Sequence, residues 1–131
     1  MKALLINVVD KTITTINIEH TNEIYAHIGN GCTTFCAPVD FPNGDTLFSD
    51  DDGLLHDSVH GCFALTGWQY PLVGNAVILG STDDGDTTDC KSTPEEFMGE
   101  IIWGNKVVAE QYREIALSQP MKIITWESSA E

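Results

Sequence analysis

Asp45, Asp50, Asp51, Asp52 and Asp57 lie within eighteen residues of sequence together with His56, His60 and Cys62. These side chains bind metal ions or move protons. His56 and His60 stand four apart, and Asp57 follows His56 as glutamate follows histidine in the His-Glu-x-x-His helix of zinc hydrolases. There the glutamate is the general base and both imidazoles hold zinc. Aspartate has a shorter arm, and Gly53 and Gly61 leave too little chain between them for a packed helix. Cys62 would add a third ligand at no standard spacing. The stretch reads as an acidic turn with partly exposed histidines, and His56, His60 and Cys62 are the metal candidates it offers.

Other chemistry finds less support. The aspartates of Ser49–Gly53 and Thr82–Asp89 lack the closing acid of a twelve-residue calcium loop. Ser49, Ser58 and Ser81 lie in no nucleophile elbow. The glycines form neither a dinucleotide fingerprint nor a phosphate loop. Cys32, Cys36, Cys62 and Cys90 include no C-x-x-C pair and read as reduced thiols. No catalytic residue and no cofactor follow, and the chain does not read as an enzyme.

The elements that must position these residues are short. Residues 2–9 and 12–19 are β-rich and flank Asp10-Lys11, a hairpin signal. Residues 20–29 read as a helix capped by Thr21 or Asn22, with Ile24, Tyr25 and Ile28 on one face and Gly29 at its end. Pro38 suits an edge strand, and Asn43-Gly44 suggests a type I′ turn before a strand at 46–50. Residues 61–67 and 74–81 make two more strands, joined by a bend at Trp68–Leu72 that would expose Trp68 and Tyr70. Residues 82–89 form an exposed loop. Ser92 or Thr93, Pro94, Glu95 and Glu96 are a strong helix start. Phe97, Ile101, Val108, Tyr112 and Ile115 then mark one apolar face, with Gly104-Asn105 splitting helices near 94–103 and 105–118. Residues 121–126 read as a last strand.

The sum is one compact α+β domain over 1–131. Its sheet is mostly antiparallel with short strands, and it has two or three helices, the main ones near 94–118. With 42% hydrophobic residues in 131, the chain can bury a core. The opening MKALLINVVD reads as a strand, not a secretion signal, and no apolar run has spanning length, so no membrane contact and a cytoplasmic setting are expected.

Charge is the anomaly. Twenty acids face six bases, giving −14, and residues 40–100 hold thirteen of those acids with Lys91 as their single base. Direct nucleic-acid binding needs a basic footprint and is excluded on that ground.

The run DTLFSDDDGLL, the run QYPLVGNAVILGSTDDGDTTD, the helix leading to EIIW and the MKALLI start resemble a family of small uncharacterised domains carried by bacteriophages and plasmids. The resemblance covers the middle and much of the C-terminal half. It implies a mobile-element origin and the cytoplasm of a bacterial host, with no reaction attached.

Three functions follow as expectations. The first is an acidic protein that imitates DNA toward a basic host protein or nucleoprotein complex, in the manner of anti-CRISPR or anti-restriction inhibitors. Its contacts would be Asp50, Asp51, Asp52, Asp83, Asp84, Asp86, Asp89, Glu95 and Glu96, with Trp68 and Tyr70. The second is a domain that sequesters a small molecule such as a nucleotide signal, using Trp68, Tyr70 and Trp103. The third is a metal-dependent hydrolase built on His56 and His60. A homo-oligomer through a strand edge or the Tyr112 helix face is compatible with all three.

Overall fold

A computed structural model describes residues 1–53, 56, 59–68 and 70–118. Asp57, Ser58, the strand expected over 121–126 and Trp126 lie outside the described residues.

β1 (Lys2–Asn7) and β2 (Thr12–Asn17) form the first hairpin, in register from Lys2 opposite Asn17 to Asn7 opposite Thr12. Its turn takes Val8–Lys11 rather than Asp10-Lys11 alone. Asn7 Oδ1 accepts the backbone N–H groups of Val9 and Asp10, each at 3.0 Å. An Asn side chain that bonds its own chain two and three residues on is a turn former.

β3 (Phe35–Asp40) and β4 (Asp45–Asp50) make the second hairpin, with β3 at the sheet edge and an irregular register between Cys36 and Val39, around Pro38. The expected type I′ turn is corrected. That turn needs left-handed backbone at both central residues, and here Gly44 (φ 95°) has it while Asn43 does not. The Gly44 N–H donates to Phe41 O at 3.0 Å and the Phe41 N–H to Asp45 O at 2.8 Å. This is a three-residue loop, a type I turn with Pro42 at its first central position and a glycine bulge after it.

β7 (Ala76–Ser81) inserts between β1 and β4, antiparallel to both, so the strand order is β2-β1-β7-β4-β3. The two-residue β8 (Thr87–Thr88) pairs with the far end of β7. Val77, Ile78 and Leu79 are fully buried on alternating faces. That is why the sequence there is a continuous apolar run, and each such side chain contributes about 2 kcal/mol of burial.

One face of this sheet carries α1 (Ile24–Ile28) after a single 3₁₀ turn, Thr21–Glu23. Ile24 and Ile28 pack with Ala3, Val77 and Leu79, while Tyr25 is exposed and meets the Phe35 ring at 4.8 Å. The expected Thr21 or Asn22 cap is replaced. Glu23 reaches back to accept the N–H groups of Glu19 (2.7 Å) and His20 (2.6 Å). Those backbone bonds, His20 first, hold its carboxyl below the usual range.

The other face meets a second sheet, ordered β6-β5-β9: β6 (Leu72–Val73), β5 (Cys62–Leu65) and β9 (Ile101–Gly104). Phe63, Leu65, Ile101 and half-buried Trp103 fill the space between sheets with Leu4, Ile6, Leu47 and Ile78. α3 (Lys106–Ser118) covers part of the outer side through Ala109, against Cys62, Val59 and Val73. A β-carbon on Gly104 would lie 2.5 Å from Cys62 Sγ, so only glycine lets β9 and β5 keep this packing.

The helix expected over 94–103 is corrected too. α2 spans Pro94–Met98 and stops at Gly99. Residues 101–104 form β9 instead, because Ile-Ile-Trp suits a helix or a strand by local preference and pairing with Cys62–Leu65 decides for the strand. Thr93 precedes α2, and its hydroxyl meets Glu96 Oε1 at 3.3 Å. The second helix stands, started by Asn105 Oδ1 accepting the Val108 N–H at 3.0 Å. Its core-facing residue is Ala109, whereas Val108 and Ile115 are exposed.

Candidate functional site

β4 runs antiparallel to β7, with Asp45 opposite Gly80 and Ser49 opposite Ala76. The two ends of β4 are therefore the two ends of the sheet, about 16 Å apart at some 3.3 Å per residue. This divides the expected contact set. Asp83, Asp84, Asp86, Asp89, Glu95 and Glu96 are exposed at the Asp45 end. Asp40, on β3 opposite Thr46, is exposed there as well. Lys2, Lys91 and the terminal amine are positive groups at that end. Asp50, Asp51 and Asp52 stand at the other. The acids expected as one contact set lie at two poles.

A buried carboxylate builds the first pole. Asp45 is fully buried, and its oxygens accept the Lys91 N–H (3.0 and 3.1 Å), the Ser92 N–H (2.8 Å) and the Ser92 hydroxyl (2.5 Å). Asn43 supports the group by accepting the Asp45 N–H at 2.9 Å and donating to Ser92 Oγ at 2.9 Å. This staple ties the start of β4 to the chain that enters α2. On the β8 side, Asp89 Oδ1 accepts the Lys2 N–H at 2.7 Å and the Cys90 N–H donates to Lys2 O at 2.9 Å. These bonds fix residues 89–92, between the acids of the 83–86 loop and Glu95 and Glu96 at the start of α2. Sequence reasoning missed Asp45. Its signal was an aspartate directly after the Asn-Gly turn, where alternation called for an inward side chain.

The second pole is a different arrangement. The Asp50 side chain is 3% exposed, which removes it from any outward contact set, while Asp51 is exposed and Asp52 half-buried. Asp50 Oδ2 lies 2.6 Å from His56 Nε2, and Oδ1 accepts the Asp52 N–H at 2.9 Å. Thr34 Oγ1 donates to Asp52 Oδ2 at 3.3 Å. Burial, and then the charge of Asp50, pushes the nearby Cys32 thiol up to about 11. Asp50, Gly53 and Val73 separate two clefts. One, of about 210 Å³, is lined by His27, Asn30, His60 and Asn75 over Val8 and Ile28. The other, of about 300 Å³, is lined by Cys36, Pro38, Pro71, Leu72, Tyr112 and Leu117. His56 is thus bonded to Asp50, and His27 and His60 line the cleft that Asp50 also borders.

The metal expectation meets a correction. His56 is turned onto Asp50, His60 is exposed at the first cleft, and Cys62 is buried under α3 with its thiol raised by burial. Among the described residues no group of three or more His, Cys, Asp or Glu side chains is arranged to hold a metal ion. Trp68 and Tyr70 are exposed, as the bend implied. Trp103 packs between the sheets, so it cannot join them as a ligand platform. All four cysteines are free thiols. Among the described residues no helix is long and apolar enough to cross a membrane.

Comparison with protein-family models, with curated proteins and with solved structures finds no match.

Proposed function

We propose that this is an acidic interaction protein of a bacteriophage or other mobile element, which blocks a basic nucleic-acid-binding or defence protein of its bacterial host by occupying the groove meant for DNA or RNA. The observation that supports this is the pole at the Asp45 end, where Asp40, Asp83, Asp84, Asp86, Asp89, Glu95 and Glu96 are all exposed. DNA presents one charge per ≈ 1.7 Å of axis. Three aspartates within the four residues 83–86 approach that density locally, and a cationic groove attracts both by the same long-range term. Asp51 and Asp52, at the far end, fall outside this contact set.

Affinity capture from nuclease-treated bacterial lysate tests the reading. The captured partner should be a basic protein, should be released by salt rising from about 50 to about 300 mM, and should be competed by duplex DNA. A partner that ignores both salt and DNA rules the reading out.

The cleft between Asp50 and His27 favours a second reading, a site for a small polar ligand. Its lining mixes imidazoles, amides and a carboxylate over an apolar floor. The acids at this end disfavour nucleotides and other anions. Native mass spectrometry of protein purified from bacteria should then show a retained small molecule, and a bare mass removes this reading.

A further inference from the structure

The apolar row expected along α3 exists, with Tyr112 half-buried against the cluster around Ala109 and with Val108 and Ile115 exposed. Val108, Tyr112 and Ile115 recur at helical spacing on the flank beside the buried Ala109, with Ile115 58% exposed. Val108 Cγ1 stands 3.1 Å from where a β-carbon on Gly104 would lie, so this flank begins directly over β9. Gly104 and Ile102 project to the same outer side of β9, because Ile101 and Trp103 turn inward. Ile102, opposite Ala64, is 68% exposed and extends the row across the uncovered part of the sheet. The result is a row of apolar side chains from Ile102 to Ile115, edged by the exposed acids Glu100 and Glu114, with Lys106 and Arg113 as the bases of the same helix.

Charge decides what fits it. A second copy would set −14 against −14, and β9 offers a short edge of only four residues. A partner with apolar residues on one side and lysines or arginines on the other satisfies both the stripe and the −14 charge of the whole chain. Val108 and Ile115 are seven residues apart, about 10 Å along the helix, the length of two turns of a docked helix. Resting on the acidic-interaction reading above, we propose that the stripe Ile102–Val108–Tyr112–Ile115 is the docking surface for a cationic amphipathic segment of the partner.

Three synthetic peptides test this on the full chain by fluorescence anisotropy at about 50 and about 300 mM salt. One is a two-heptad leucine/lysine helix, one an oligolysine of equal charge, and one the leucine helix with glutamate replacing lysine. The leucine/lysine helix should bind at least about tenfold tighter than oligolysine at the higher salt, a factor that separates apolar docking from screened attraction. Ile102→Ser with Ile115→Ser should remove that advantage while leaving oligolysine binding and the circular dichroism spectrum unchanged. If the double variant is misfolded, Ile115→Ser alone, on the exposed helix flank, should still lower the advantage severalfold. Equal binding of leucine/lysine helix and oligolysine overturns the stripe but leaves the acidic reading standing. Binding of neither overturns both. Equal binding of the glutamate helix overturns the charge argument. A wild-type dimer in sedimentation that Ile115→Ser dissociates assigns the stripe to a second copy and overturns the proposal.

Discussion

Asp45 and Asp50 bracket the same six-residue strand, and both side chains are buried. Asp45 is met by backbone N–H groups and a hydroxyl, none of which changes charge near neutral pH. Asp50 is met by an imidazole and by one N–H from its own turn, and two clefts open beside it. A carboxylate wrapped by fixed dipoles is part of the frame. One whose main partner can gain or lose a proton, at the lip of a cavity, is free to respond to a ligand. The first pole contains the former kind. The second pole is built from the latter.

Asp45→Ala should break that contrast most severely. It leaves the Lys91 and Ser92 N–H groups and the Ser92 hydroxyl buried without an acceptor, a loss of about 3 kcal/mol, and a urea melt should show it. Unchanged stability would mean that water reaches the staple. Asp50→Asn should cost less, about 1 kcal/mol, since His56 is partly exposed and water can replace its partner.

The Asp50 change has a second signature at Cys32. A thiol held up to about 11 is almost wholly protonated at pH 8. A group raised in the folded state stabilises the fold below its unfolded value of 9.0, and that contribution is lost as pH rises from there to about 11. Removing the Asp50 charge should narrow this window and speed iodoacetamide labelling of Cys32 at pH 8 by about threefold, because burial, the larger cause, remains. An unaltered labelling rate would separate Cys32 from Asp50. The smallest effect on stability belongs to Asp83→Asn, Asp84→Asn and Asp86→Asn combined. Exposed loop acids should shift the melt by less than about 0.5 kcal/mol, while the salt-sensitive binding proposed above should fall by about tenfold or more.

Local rules carried much of the fold. β-rich runs and the turn signals between them found the strands of both hairpins, Pro38 found the edge, and Pro94 with Glu95 and Glu96 found the start of α2. What failed was decided by tertiary pairing. Ile101 to Trp103 look equally good in a helix or a strand until Cys62–Leu65 arrives beside them. The Asn43-Gly44 signal was real, but Pro42 one residue earlier selected the turn type. The site was less legible. A net charge count over 40–100 cannot know that β4 carries its two aspartate groups to opposite ends, nor that Asp50 turns in toward His56. The apolar spacing of Val108, Tyr112 and Ile115 was visible, and only the packing of Ala109 and Tyr112 on Val59, Cys62 and Val73 showed that Val108 and Ile115 look outward.

β7 has one more consequence, for the order in which the molecule assembles. Ile78 lies between Leu4 and Leu47, so the two early hairpins have no shared partner until this strand arrives. Each can form quickly from local contacts, but joining them waits for a segment far along the chain. Its entry between them is the step that should govern the folding rate, and shortening Ile78 or Leu79 should slow refolding more than it speeds unfolding.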